Sequence, residues 1–99
     1  MDPFRSSANQ APRLSAEELA IKALAFIGGE PTRLERFLAL TGYNAGNIRT
    51  AAADPAFLAG VLGHLLEDEP LLLDFAANES VRPEEVVTAA QSLGVTFGA

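Results

Sequence analysis

Cysteine is absent from this 99-residue sequence, and histidine occurs once, at His64. Without cysteine there is no disulfide framework, thiolate zinc site, iron–sulfur cluster or cysteine nucleophile. One histidine leaves a transition-metal site short of its usual ligands. We therefore expect no metal and no cofactor, and the lack of cysteine suits a reducing compartment.

Long apolar runs and positive charges are also scarce. No apolar run approaches the roughly 20 residues that cross a bilayer. The residues through Arg13 lack the apolar core of a secretory signal, so we expect a cytoplasmic protein with no membrane partner. Thirteen acids against seven bases give a formal net charge of -6, which opposes binding to polyanions. No nucleic-acid partner is expected.

The composition is that of a globular domain, with 48% hydrophobic and 20% charged residues. A chain of this length suits one domain with one core. We predict a flexible N-terminal tail over residues 1–14 and a single helical domain over residues 15–99.

Four prolines indicate where helices begin. Proline is favoured at the first helical position, where its missing N–H needs no partner. Each of the four follows a charged residue and precedes apolar residues at helical spacing: Glu30-Pro31, Asp54-Pro55, Glu69-Pro70 and Arg82-Pro83. We predict four helices that begin at these pairs.

Two further helices complete the prediction. Ser15 and Glu18 have the spacing of a capping box, and the helix they open ends at Gly28-Gly29. A short helix is predicted through Ile48 to Ala53, with Asn44 as its cap. No segment alternates with a period of two, so the predicted fold is all-α, a compact domain of about six short helices.

The two halves of the chain resemble each other. A shift of 39 residues places Glu30-Pro31 on Glu69-Pro70, and a shift of 38 places Thr50-Ala51-Ala52 on Thr88-Ala89-Ala90. Residues 15–53 and 54–93 are then two pseudo-symmetric three-helix units that pack about an approximate two-fold. The alternative is that leucine- and alanine-rich helices align with one another by composition alone.

The titratable residues give little support to catalysis. Most acids lie at helix starts, where capping and the helix dipole explain them, and an isolated His64 is interpreted as a half-exposed helix residue. We predict that the protein is not an enzyme and has no catalytic residues. The alternative is a small-ligand binder or enzyme whose site, between the two halves, gathers His64, Glu67 and an arginine.

A segment from Arg33 to Ala53 has the outline of a helix-turn-helix. Its second helix offers few polar or basic side chains for reading bases. DNA binding is therefore a minor alternative, and it requires Arg33, Arg36 and Arg49 on one surface.

The fifth predicted helix is apolar on nearly every side and supplies a tentative interaction surface, Leu71, Leu72 and Phe75. Such a helix lies in the centre of the core, which we favour, or is partly covered by another chain. The preferred function is a non-enzymatic protein–protein interaction or regulatory module, with a protein partner or a homodimer.

Three motifs carry a family resemblance, which covers roughly Ser15 to Leu93. They are Ala23-Leu24-Ala25-Phe26-Ile27-Gly28-Gly29, Arg36-Phe37-Leu38-Ala39-Leu40-Thr41-Gly42, and Asp54-Pro55-Ala56-Phe57-Leu58 through Glu69-Pro70-Leu71-Leu72. With these motifs the chain resembles a bacterial family of short helical proteins, domain of unknown function 3572. The resemblance implies a bacterial, intracellular, stand-alone domain, and it assigns no activity, ligand or catalytic residue.

Overall fold

Six helices form residues 14–94, the part of the chain that the computed structural model describes. They are α1 (Ala16–Gly28), α2 (Pro31–Thr41), α3 (Ile48–Ala51), α4 (Pro55–Leu66), α5 (Glu69–Glu79) and α6 (Pro83–Ser92). No strand occurs in this range, so the all-α prediction is confirmed. The tail predicted over residues 1–14 lies, except for Leu14, outside the described residues. None of the described helices combines the length and the apolarity needed to span a membrane.

The predicted caps hold the starts of three helices. At α1 the Glu18 N–H donates to Ser15 Oγ (3.1 Å) while the Ser15 N–H donates to Glu18 Oε1 (2.8 Å), a complete capping box. Glu30 accepts from the Arg33 N–H before α2, and Asp54 accepts from the Ala56 N–H before α4. Each bond satisfies a backbone donor that the first helical turn cannot pair internally.

Two boundaries differ from the prediction. Helix α5 begins at Glu69, and its cap is Asp68, which accepts from the Leu71 N–H at 3.2 Å. Helix α3 is a single turn, and Asn44 does not cap it. The Asn44 side-chain oxygen accepts from the Gly46 and Asn47 N–H groups, so it closes a turn before the helix.

The core lies where α1, α4 and α6 pack against one another. Helix α2 packs on α1, and α5 packs on α4 and α6. The central helix is α4, whose apolar face is buried at Phe57, Leu58, Val61, Leu62 and Leu65. From the other helices the largest fully buried side chains are Ile27, Phe37, Phe75 and Val86.

Helix α5 is held to α1 and α2 by a buried aromatic contact and by ion pairs at the surface. The Phe75 ring packs edge-on against the Phe26 ring of α1, with 5.5 Å between ring centroids. The Arg33 guanidinium of α2 lies over the same Phe26 ring, 4.2 Å from its centroid. Three ion pairs reach from α5 and its cap to α1 and α2: Lys22–Glu79 (4.0 Å), Arg33–Asp74 (3.7 Å) and Arg36–Asp68 (3.8 Å). Since exposed pairs contribute about 0–1 kcal/mol each, aromatic burial is the main attachment of this helix.

The two predicted repeat units share an order of three helices but differ in the third. In residues 15–53 the third helix is α3, with four residues, whereas in residues 54–93 it is α6, with ten. Only α6 packs extensively against both α1 and α4. The long helices therefore correspond in order and the third helices are not equivalent. The approximate two-fold between the halves stays a prediction.

Candidate functional site

The residues of the tentative interaction surface lie mostly in the core. Leu71 is 8% exposed and Phe75 is 0% exposed, while Leu72 is half-buried. The exposed leucine of α5 is Leu73, at 49%. Burial removes Leu71 and Phe75 from any surface that a partner can reach in this fold. Helix α5 buries this one face and exposes the other, so it lies at the edge of the core and not at the centre favoured from the sequence.

An open groove lies instead between the start of α1 and one side of α6, and the turn before α6 closes one end. We call it the α1/α6 groove, and its volume is about 470 Å³. Its lining residues are Leu14, Ala16, Leu19, Glu79, Val81, Arg82, Glu84, Glu85, Thr88, Ala89 and Ser92. No pattern in the sequence predicts this surface, because its residues come from both ends of the described chain.

The floor and walls of the α1/α6 groove are apolar. Leu19 and Ala89, at 3% and 7% exposed, belong to the core and form the floor. Leu14 and Val81 are half-buried and form walls. An apolar floor that reaches the core gives a partner side chain a place to exclude water.

Two local motifs position these walls. The capping box at Ser15 fixes the direction in which Leu14 enters α1. At the other wall Ser80 adopts a left-handed conformation (φ 57°), the Val81 N–H donates to the Ala76 carbonyl, and the Ser80 N–H donates to the Ala77 carbonyl. These two bonds form a Schellman motif, which characteristically brings the next apolar residue, here Val81, back against the helix.

The rim of the α1/α6 groove is mostly acidic. The rim has three acidic side chains, Glu79, Glu84 and Glu85, and one basic side chain, Arg82. Arg82 Nε lies 3.9 Å from Glu85 Oε2, and Lys22 pairs with Glu79 from outside the groove. Even with Lys22 counted beside Arg82, three acids face two bases at the rim. The described chain as a whole is also acidic. Residues 14–94 hold twelve of the thirteen acids and five of the seven bases, because only Asp2, Arg5 and Arg13 fall outside.

A second, shallower groove of about 360 Å³ lies between the end of α2 and α4. Its lining residues are Leu40, Thr41, Ala59, Gly60, Gly63, His64 and Glu67. His64 is 9% exposed and packs edge-on against the Phe37 ring at 5.1 Å. The prediction of a half-exposed His64 is therefore wrong, because Phe37 covers the imidazole and α4 is buried on that side.

Burial lowers the pKa of His64 below its usual 6.5. Removal from water is the largest cause, because it disfavours the charged imidazolium. The carboxylates of Asp68 and Glu67 oppose this shift, and the Arg36 guanidinium reinforces it. At neutral pH the imidazole is uncharged.

This lowered pKa makes stability depend on pH. Between the folded-state pKa and 6.5 the unfolded chain binds a proton that the folded chain does not, so unfolding becomes more favourable as pH falls below about 6.5. We expect the urea concentration at the unfolding midpoint to decrease when the pH is lowered from about 7.5 to about 5.5. His64→Phe, which keeps a ring against Phe37, should flatten that dependence. A variant with the same slope as the original chain would contradict the assignment.

The polar groups near His64 are mostly engaged with other partners. Thr41 Oγ1 donates to the Phe37 carbonyl at 2.7 Å, and Arg36 pairs with Asp68. The second groove thus brings His64 and Glu67 together, whereas Arg36 is paired with the Asp68 carboxylate and does not line the groove. Within residues 14–94 no three histidine, aspartate or glutamate side chains cluster as metal ligands.

Comparison with protein families gives one match, over residues 13–95. The matching model is described as a protein of unknown function, DUF3572, and it covers most of the chain. The chain belongs to the DUF3572 family. Both grooves lie inside the part of the chain that the DUF3572 model matches, whereas residues 1–12 lie before it. Neither a curated protein nor a solved structure matches the chain.

Proposed function

We propose that this DUF3572 protein is a non-enzymatic interaction module that binds a segment of a partner protein in the α1/α6 groove. The observation that carries the proposal is the arrangement of the groove, with Leu19 and Ala89 in an apolar floor and charged side chains at its rim. Apolar centres surrounded by polar rims are the usual anatomy of protein interfaces.

The shape of the α1/α6 groove favours a polypeptide over a small molecule. It is open to solvent along its length, whereas small-molecule sites enclose most of the ligand surface. It also lies between helices, the setting in which an amphipathic segment inserts its apolar side chains. A polypeptide segment that lies across the groove can cover the apolar floor with one side while its other side stays in solvent.

The alternative of a ligand or enzyme site has one observation in its favour, the shared groove of His64 and Glu67. Against it, Arg36 is paired with Asp68 and the Thr41 hydroxyl with a backbone carbonyl. A catalytic site needs polar groups free to meet a substrate, so the interaction module is preferred.

DNA binding is not proposed. Arg33 lies over Phe26 and pairs with Asp74, and Arg36 pairs with Asp68. Two of the three arginines that a DNA surface requires therefore already have acidic partners, in a chain of net charge -6.

We further propose that the protein acts in the bacterial cytoplasm. A cysteine-free sequence suits a reducing compartment, and the motifs quoted above resemble those of a bacterial family. Fractionation of a bacterial host that carries the gene, with antibody detection, tests this location. Recovery with the periplasmic or membrane fraction would contradict it.

Selection from a random library of displayed peptides of about 12 residues tests the interaction. The selected peptides should bind the original chain and lose at least about tenfold in affinity with Thr88→Trp, because an indole at this exposed position fills the groove. Thr32→Trp is the matched control, since Thr32 is an exposed threonine of α2 outside the groove. Failure to select any peptide, or equal affinity for both variants, would overturn the proposal.

A further inference from the structure

We infer that the partner segment of the α1/α6 groove is an amphipathic helix with large apolar residues on one face and lysine or arginine beside them. This inference rests on the proposed function and names the chemistry of its ligand. It rests on two features of one surface, an apolar floor between helices and a rim on which acidic side chains outnumber basic ones.

The apolar floor defines the first half of this chemistry. Leu19 and Ala89 lie at its base, and Leu14 and Val81 at its sides, so the groove receives aliphatic or aromatic side chains. A helix presents such side chains at positions i, i+3, i+4 and i+7, which form one continuous stripe. Two or three of these anchors fit along a groove of about 470 Å³.

Charge defines the second half. The rim carboxylates of Glu79, Glu84 and Glu85 outnumber the bases beside them, since Lys22 lies close to Glu79 and Arg82 lies close to Glu85. Basic residues that flank the apolar stripe of the partner would meet these carboxylates, which speeds association and selects against acidic segments.

The same charges disfavour a second copy of this chain as the occupant. Each copy carries a net charge of -6, and residues 14–94 alone hold twelve acids against five bases. Two such surfaces repel at low salt. A partner of opposite charge therefore fits the groove better than a homodimer does.

Two synthetic helical peptides of about 14 residues test this chemistry. One has a leucine stripe with lysines at the flanking positions, and the other has glutamates in place of the lysines. By fluorescence anisotropy we expect the lysine peptide to bind at least about tenfold more tightly, with the difference shrinking when NaCl is raised from about 0.05 M to about 0.5 M.

Two charge-reversal variants separate the rim from the net charge of the chain. Glu84→Lys should weaken the lysine peptide about fivefold, whereas Glu69→Lys should change its affinity less than about twofold. Both are exposed acids in the first turn of a helix, and both substitutions change the net charge equally, but only Glu84 lines the groove. Equal effects of the two variants would overturn the inference, because binding would then follow net charge alone.

Other outcomes identify other occupants. Equal binding of the two peptides, with Thr88→Trp still blocking the peptides from the library, overturns the basic chemistry but leaves the proposed function standing. A dimer in sedimentation at micromolar concentration that Thr88→Trp abolishes would assign the groove to a second copy. Tighter binding of the lysine peptide after Arg5→Glu but not after Arg49→Glu, an equal charge change at an exposed residue outside the groove, would assign it to the chain's own residues 1–13.

Discussion

Phe75→Ala should reduce the free energy of unfolding by about 3–5 kcal/mol. The Phe75 side chain is 0% exposed and meets the Phe26 ring at 5.5 Å, so its removal takes away buried apolar surface and an aromatic pair and leaves a cavity. Small domains are stable by only about 5–15 kcal/mol in total. Urea unfolding followed by circular dichroism measures the change.

Leu73→Ala is the matched control for Phe75→Ala. Both residues lie on α5, but Leu73 is 49% exposed, and the substitution should cost less than about 1 kcal/mol. Similar losses for the two variants would mean that α5 does not pack as described. In that case Leu71 and Phe75 would again be candidates for a surface covered by another chain.

Phe37→Ala should have the second large effect, a loss of about 3–4 kcal/mol. Phe37 is 1% exposed and lies between two rings, Phe57 at 6.1 Å and His64 at 5.1 Å, so it joins α2 to α4. Removal of the Phe37 ring also admits water to the His64 imidazole. Because removal from water is the largest cause of the lowered pKa of His64, that pKa should rise back toward 6.5.

A nuclear magnetic resonance titration measures the pKa of His64 in Phe37→Ala and in the original chain. Because His64 is the only histidine, the imidazole gives one signal. Ile21→Ala is the control, as Ile21 lies on α1, is 49% exposed and does not line the groove beside His64. That variant should keep both the stability, within about 1 kcal/mol, and the low pKa. An unchanged pKa in Phe37→Ala would show that Phe37 does not shield the imidazole.

Local signals in the sequence predicted the helices well. Proline after a charged residue, a capping box at Ser15 and a left-handed glycine at Gly42 act within one turn of chain, so their outcome depends little on the rest of the fold. The cap of α5 was placed one residue too late because Asp68 and Glu69 are both acids that can cap a helix.

The surfaces could not be predicted in the same way. Helix α5 is apolar on nearly every side, and that pattern does not state which side another helix covers. The α1/α6 groove depends on Leu14 and Val81, which lie far apart in sequence and line one groove only when α1 packs on α6. Its second wall also depends on a left-handed serine, Ser80, a residue type that gives no clear sign of that conformation.

The groove has a rigid frame on which a partner can be bound with little reorganisation. Leu19 and Ala89 belong to the core, and the capping box and the Schellman motif fix the chain on either side. A site that is ordered before binding loses less conformational entropy on association. Affinity then depends mainly on how well the apolar anchors of the partner fit.

The most direct test of the account is a map of backbone amide shift changes when a peptide from the library is added to isotope-labelled protein. We predict that the largest changes fall on Leu19, Val81, Thr88 and Ala89, with α2 and α3 little affected. Changes centred on Leu40, Gly60 and Gly63 would place binding in the groove beside His64 and contradict the account.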